Sequence, residues 1–101
     1  MGKDDIKKKL LETLEQSSYQ KDVRLMSLFG SYVSGSPTET SDVDILVQFS
    51  DDAVIGLFEY ARIQREFSTA LGLKVDLVTL EGLSKHIKQQ VLQEAEIVYQ
   101  G

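Results

Sequence analysis

A net charge of −5 and the absence of cysteine in 101 residues already exclude several classes of protein. Without cysteine there are no disulfides, no thiol catalysis and no thiolate metal sites. An acidic chain with no visible basic face is not suited to wrapping a nucleic-acid backbone, so we expect no direct nucleic-acid binding. A chain of this length buries roughly two-thirds of its unfolded surface, so we expect a single domain over residues 1–101.

The N-terminal segment has the pattern of an amphipathic helix rather than that of a signal peptide, because acidic residues occur throughout it. Asp4 or Asp5 can cap this helix, which we expect to run to about Ser17. Its inward face carries Ile6, Leu10, Leu11 and Leu14. No apolar run in the chain approaches the roughly 20 residues that span a bilayer. We therefore expect no membrane association and a soluble, cytoplasmic protein.

Two strands and a short helix are predicted in the next part of the chain. Residues 17–22 are polar and predict a loop, and Val23 to Phe29 is short and dense in apolar residues, which is typical of a buried strand. Ser31 to Ser34 can form a turn or two of helix that ends at Gly35. After a loop over 36–41, apolar and polar residues alternate from Asp42 to Phe49. This alternation predicts a second strand whose first residues place Asp42 and Asp44 on one face.

The second half of the chain predicts two helices and two strands. A helix is expected from Gly56 to Leu71, ending at Gly72, with Leu57, Tyr60, Ala61, Gln64, Phe67 and Leu71 on its inward face. Residues 74–80 form a third strand that contains Asp76. Ser84 can cap a last helix with Ile87, Val91 and Ala95 facing inward, and a short edge strand follows over 97–99. The order predicts an α/β (α+β) fold in which helices flank a small central sheet.

Three aspartates form the main candidate site. Asp42 and Asp44 project from one face of the second strand, and if the third strand pairs with the second, Asp76 can converge with them. Two carboxylates about 4 Å apart repel by roughly 4 kcal/mol at an effective dielectric of about 20. Either protonation or a divalent cation relieves this repulsion, and hard oxygen ligands favour Mg²⁺ or Mn²⁺ over zinc. By itself, D-x-D is equally compatible with a solvated strand end.

Gly30 and Ser31 form a second candidate site at the end of the first strand. Glycine lets a ligand approach the backbone closely, and the amides that open the following helix attract phosphate. The same two residues are also common in a plain strand-to-helix turn. The pattern is neither a Walker loop nor a Rossmann fingerprint, because no Gly-Lys pair follows and G-x-G-x-x-G is absent.

Taken together, GSYVSGSPTETSDVD and the later KVDLVT resemble the signature of the MntA-like minimal nucleotidyltransferases, within the DNA polymerase β superfamily. The resemblance covers nearly the whole chain, including the closing segment EAEIVY. It implies the minimal nucleotidyltransferase fold, with a small mixed central sheet flanked by helices. It also implies an enzyme that transfers a nucleoside monophosphate from a nucleoside triphosphate to a hydroxyl group.

The resemblance also implies roles for individual residues. Asp42 and Asp44 would hold two Mg²⁺ ions, with Mn²⁺ as the alternative, and Asp76 would complete the second metal site and help deprotonate the acceptor. Gly30, Ser31 and Ser41 would bind the nucleotide. Relatives often have arginine at the position of Ser34, which cannot supply that charge.

In this family the donor is typically ATP and the acceptor a tyrosine on a helical HEPN toxin, so the chain is expected to act as an antitoxin in a hetero-oligomer. Two alternatives stay open at this point. A binding module with a vestigial site could neutralise the partner by occlusion, or the enzyme could modify a small molecule such as an aminoglycoside. The last alternative usually requires an added substrate domain.

Overall fold

A computed structural model describes residues 2–35 and 42–101. The predicted loop over 36–41, which contains Ser41, lies outside the described residues. In chain order the elements are α1 (Lys3–Gln16), β1 (Val23–Phe29), α2 (Ser31–Ser34), β2 (Val43–Phe49), α3 (Leu57–Leu71), β3 (Val75–Val78), α4 (Lys85–Glu94) and β4 (Glu96–Gln100), with short 3₁₀ turns at Gln20–Asp22 and Leu80–Gly82. Within these described ranges, no helix has both the length and the apolar character that crossing a membrane requires.

The four strands form one mixed sheet in the order β3-β2-β1-β4. β1 is antiparallel to both β2 and β4, whereas β2 and β3 are parallel. The parallel pair needs a crossover connection, and α3 provides it. The prediction of a small mixed sheet flanked by helices is therefore confirmed, as are the predicted bounds of β1 and α2.

One face of the sheet packs against α1 and α3 and forms the main core. The register places Met26 opposite Val47 and Leu28 opposite Ile45 on this face. The helices contribute six buried side chains, namely Ile6, Leu10, Leu14, Ile63, Phe67 and Leu71. Two predicted inward positions on α3 are wrong, because Leu57 is 88% exposed and Ala61 is also exposed. Leu57 is the first residue of the helix, whereas the buried residues of α3 are Ile63, Phe67 and Leu71.

The other face of the sheet carries Ser27 opposite Leu46 and Phe29 opposite Asp44. Ser27 and Leu46 are 2% and 1% exposed, although neither belongs to the core formed with α1 and α3. The chain between β3 and β4 must cross the sheet from one edge to the other. This connecting segment contains α4, whose Val91 is buried. Asp44 lies at the end of this face where β2 begins.

The helix ends differ in part from the predictions. The N-cap of α1 is Gly2, not Asp4 or Asp5, and the Asp5 carboxylate instead accepts a hydrogen bond from the Gly2 amide at 3.3 Å. Ser84 caps α4 as predicted, because its hydroxyl accepts from the Ile87 amide at 3.4 Å. The Ile87 side chain was predicted to face inward but is about half exposed.

Candidate active site

Asp44 and Asp76 are direct neighbours across the parallel strands β2 and β3. Opposite residues in a strand pair project from the same face, and adjacent strands lie about 4.8 Å apart. The third strand does pair with the second, which is the condition that the sequence left open, and the pairing brings these two carboxylates to one end of the second face. Asp44 is half-buried, whereas Asp76 is exposed to solvent.

Burial raises the pKa of the Asp44 carboxyl above its ordinary value, and the negative charges of Asp76 and Asp42 raise it further. Each of these influences makes the ionised form of Asp44 less favourable. The three aspartates that the sequence singled out therefore interact electrostatically. A cation at this end of the sheet would stabilise the ionised form of Asp44.

Gly30 lies directly against the Asp44 side chain. A Cβ atom built at position 30 would lie 2.2 Å from Asp44 Oδ2 and 3.1 Å from its Cγ, which is too close for any side chain. Gly30 also has φ 83° and ψ −153°, a backbone conformation essentially restricted to glycine. The Gly-Ser turn and the D-x-D motif, which were separate signals in the sequence, are thus in contact in the fold.

The short helix α2 extends from this contact. The carbonyl oxygen of Gly30 accepts from the amides of Val33 and Ser34, both at 3.0 Å. Ser31, the first residue of α2, is half-buried and adjoins Gly30. Ser34 is exposed, and its hydroxyl donates to the Ser31 carbonyl oxygen at 3.2 Å. Phosphate binding by Gly30 and Ser31 stays a prediction, as does nucleotide binding by Ser41.

Asp42 directly precedes β2 and has a partner that the sequence reasoning missed. Lys74 Nζ lies 3.7 Å from Asp42 Oδ2. The lysine side chain is 77% exposed, so this ion pair contributes little to stability. The sequence offered a signal for this pair, because Lys74 is a basic residue that directly precedes the strand carrying Asp76.

A second feature that the sequence reasoning missed is a row of polar side chains on α3 that bonds the outer edge of β3. Ser68 Oγ accepts from the Val75 amide at 3.0 Å, and Gln64 Oε1 accepts from the Leu77 amide at 3.0 Å. The Tyr60 hydroxyl donates to the Leu77 carbonyl oxygen. The sequence prediction places Tyr60 and Gln64 on the inward face of α3. A glutamine on an inward face needs a hydrogen-bond partner, and this signal could have identified the contact with β3.

A groove of about 750 Å³ lies between α1 and α3. Its described lining includes Lys9, Arg62 and Glu66, and none of the three aspartates of the candidate site. The groove is therefore separate from the acidic end of the sheet.

The sequence profile of the family described as polymerase beta, nucleotidyltransferase, matches residues 8–101, which is nearly the whole chain. The chain belongs to this nucleotidyltransferase family. A relative from Thermococcus cleftensis, the protein adenylyltransferase MntA, is 42% identical over 77 residues, which are 76% of this chain and 74% of that protein.

Two solved structures have a fold similar to that of this chain. A protein assigned as a minimal nucleotidyltransferase is 31% identical, with a TM-score of 0.75 and 95% of each chain covered. A toxin–antitoxin crystal structure with AMP-PNP contains a chain that is 27% identical, with a TM-score of 0.76. That match covers 94% of this chain and 73% of the other.

Nucleotidyltransferases generally use divalent metal ions, and the donor set at this site fits such an ion. Carboxylate oxygens are the ligands that hard cations prefer, and the environment of Asp44 disfavours an ionised carboxylate without a counter-charge. In residues 2–35 and 42–101, no three acidic, histidine or cysteine side chains already form a complete metal-binding cluster. The carboxylates of Asp44 and Asp76 thus occupy neighbouring backbone positions on paired strands.

Proposed function

We propose that this protein transfers AMP from ATP to a tyrosine hydroxyl on a helical HEPN toxin and thereby acts as its antitoxin. The observation that carries the proposal is the contact of Gly30 with Asp44, next to Asp76, at one end of the sheet. The names of the relatives add support, because one is a protein adenylyltransferase and another was crystallised as a toxin–antitoxin complex with AMP-PNP.

In the proposed reaction, the acceptor oxygen attacks the α-phosphorus of ATP, the bond from this phosphorus to the bridging oxygen breaks, and pyrophosphate leaves. Asp76 takes the proton of the acceptor hydroxyl, for which its solvent exposure leaves access. Gly30 and Ser31 hold the β- and γ-phosphates through the backbone that opens α2, and Ser41 contributes to nucleotide binding.

Asp42 and Asp44 are proposed to hold two Mg²⁺ ions, with Asp76 completing one of the two sites; Mn²⁺ is the alternative ion. When bound, such a pair stabilises the charge on the attacking and leaving oxygens. We further propose that residues 1–101 form one nucleotidyltransferase domain and that the protein works in the cytoplasm, in a hetero-oligomer with its toxin.

Label transfer tests the catalytic proposal directly. The protein is incubated with its candidate toxin, Mg²⁺ and ATP labelled at the α-phosphate. We expect label on the toxin with the native protein and none with the double variant Asp42→Asn/Asp44→Asn. The matched control is Asp51→Asn/Asp52→Asn, because these acids lie beyond the opposite end of β2. Equal labelling by both double variants would falsify the assignment of the site.

A second candidate function is neutralisation by occlusion, in which the protein covers the toxin without modifying it. The observation that favours it is Ser34, whose hydroxyl is bonded to the carbonyl oxygen of its own helix where relatives often have arginine. Toxin activity measured without nucleotide separates the two candidates. Neutralisation by the Asp44→Asn variant in the absence of ATP supports occlusion, whereas neutralisation that requires both ATP and Asp44 supports catalysis.

A further inference from the structure

Three side chains of α3 contact the backbone of β3 from outside the sheet. Tyr60, Gln64 and Ser68 are spaced four residues apart, so they lie along one face of the helix. This group, which we call the edge clamp, donates one hydrogen bond to β3 and accepts two. β3 is an edge strand of only four residues, and in the part of the chain that the structure describes its one neighbour in the sheet is β2.

The edge clamp binds β3 on both sides of Asp76. In a strand pair, alternate residues direct their backbone groups toward the neighbouring strand, and the Val43 amide donates to the Lys74 carbonyl oxygen at 2.8 Å. By the same alternation, the backbone groups of Val75 and Leu77 point away from the sheet, where Ser68, Gln64 and Tyr60 meet them. Asp76 lies between these two anchored residues.

This arrangement fixes the backbone that carries one of the three candidate catalytic acids. β2 holds β3 from one side and the edge clamp holds it from the other, so the strand cannot shift along or away from Asp44 without breaking these bonds. We propose that Tyr60, Gln64 and Ser68 are positioning residues for Asp76 in the nucleotidyl transfer reaction. This inference rests on the proposed function, in which Asp76 takes the proton of the acceptor.

The competing explanation is that the edge clamp only protects an edge strand. Covering the exposed backbone groups of such a strand prevents pairing with other chains. Both explanations predict some loss of stability when the hydrogen bonds are removed. Only positioning predicts that kcat falls while the KM for ATP is unchanged, because the proposed nucleotide-binding residues Gly30, Ser31 and Ser41 all lie outside β3.

The kinetic test uses two pairs of variants, assayed well below their melting temperatures. Gln64→Met removes the acceptor of the Leu77 amide, and Gln93→Met makes the same change at an exposed position on α4. Ser68→Ala removes a hydroxyl that Ser68→Thr retains. Since a displacement near 1 Å can reduce catalysis about 100-fold, we expect Gln64→Met and Ser68→Ala to lower kcat by at least about 10-fold. Gln93→Met should match the native enzyme, and Ser68→Thr should restore most of kcat.

A kcat that stays native in both Gln64→Met and Ser68→Ala overturns the proposal, even if their melting temperatures fall. An equal rise in the KM for ATP would also overturn it, because the defect would then lie in nucleotide binding.

A measurement that does not depend on activity separates this inference from the proposed function. Titration of the nucleotide-free protein with Mn²⁺, followed by electron paramagnetic resonance, reports on the acidic site alone. We expect weaker Mn²⁺ binding in Gln64→Met than in Gln93→Met, together with faster hydrogen exchange at the amides of Leu77 and Val43. If the native protein transfers no label, the proposed function fails, and the Mn²⁺ titration still tests the edge clamp. Identical Mn²⁺ affinity in the two variants contradicts positioning.

Discussion

Replacing Gly30 with alanine tests the contact on which the candidate site depends. The new Cβ would lie 2.2 Å from Asp44 Oδ2 and 3.2 Å from Asp44 Cβ. A small adjustment of the aspartate side chain would not relieve this contact, because Asp44 Cβ itself is close to the new atom. The carboxylate must therefore rotate about the Cα–Cβ bond and leave the site. Alanine would also have to adopt φ 83° and ψ −153°, which L-residues avoid.

The magnitude follows from these two effects. The backbone conformation costs about 1–3 kcal/mol for a residue with a Cβ atom. Rotating Asp44 from its preferred side-chain conformation adds about 0.5–1.5 kcal/mol. A total near 3 kcal/mol would lower the melting temperature by roughly 12–24 °C in a domain of this size, since each kcal/mol corresponds to about 4–8 °C. Domains are typically stable by about 5–15 kcal/mol, so the variant should still fold at low temperature.

Gly72→Ala is the matched control. Gly72 also has a positive φ, 68°, but a Cβ built there meets no atom within 4 Å. This substitution should cost about 1–2 kcal/mol in stability through the backbone alone. Melting is followed by circular dichroism. Label transfer to the toxin and binding of AMP-PNP are then measured at a temperature where both variants are folded.

We expect Gly72→Ala to retain near-native activity and Gly30→Ala to lose about 100-fold or more in label transfer, because Asp44 is displaced. If folded Gly30→Ala transfers label as well as Gly72→Ala does, the contact between Gly30 and Asp44 is not needed to position the carboxylate. The reasoning from the close approach of these two residues would then be refuted.

Three further predictions concern stability. Hydrogen bonds from Lys3 and Lys7 of α1 lower the pKa of Glu96. Glu96 therefore stabilises the folded state at a pH above the ordinary glutamate pKa, and this stabilisation is lost as the pH falls through the lowered pKa. The difference in urea midpoint between the native protein and Glu96→Gln should therefore become smaller when the pH is lowered from 6 to about 3. A difference that stays constant with pH, or an equal change in the control variant Glu94→Gln, would contradict this prediction. Phe67→Ala should lower the free energy of unfolding by about 3–5 kcal/mol in urea denaturation, because Phe67 is 1% exposed in the core between α3 and the sheet; a loss below about 1 kcal/mol would contradict that packing. Ser84→Ala should cost about 1 kcal/mol by removing the N-cap of α4, and an unchanged melting temperature would show that the cap is not needed.

Local sequence determined most of the elements that carry the candidate site. The apolar run before Gly30 is a strand with the predicted bounds, and the alternation after Asp42 placed Asp44 on the face opposite the core. The four residues from Ser31 form the predicted helix, and Gly35 ends it. These features follow from residue periodicity and from the conformational preferences of glycine, both of which act over a few residues.

Two of the errors in prediction lie where a helix end meets solvent. Leu57 fits the helical pattern of α3, but it is the first residue of that helix and its side chain is exposed. Asp5 fits the pattern of a cap, but α1 begins earlier, so its carboxylate bonds back to the Gly2 amide from inside the first turn. Periodicity identifies which residues share a face, whereas burial depends on what lies against that face.

By itself, the sequence predicted that Asp42 and Asp44 share a face, and it determined that a glycine closes β1. Only the tertiary structure decided that β3 runs parallel to β2 with Asp76 beside Asp44, that Gly30 lies against the Asp44 carboxylate, and that α3 bonds the outer edge of β3. These contacts join residues that are distant along the chain, and they arise from strand register and helix packing. The physical reason is that side-chain direction is a local property of the backbone, whereas the distance between two side chains on different elements is set by the packing of the whole sheet.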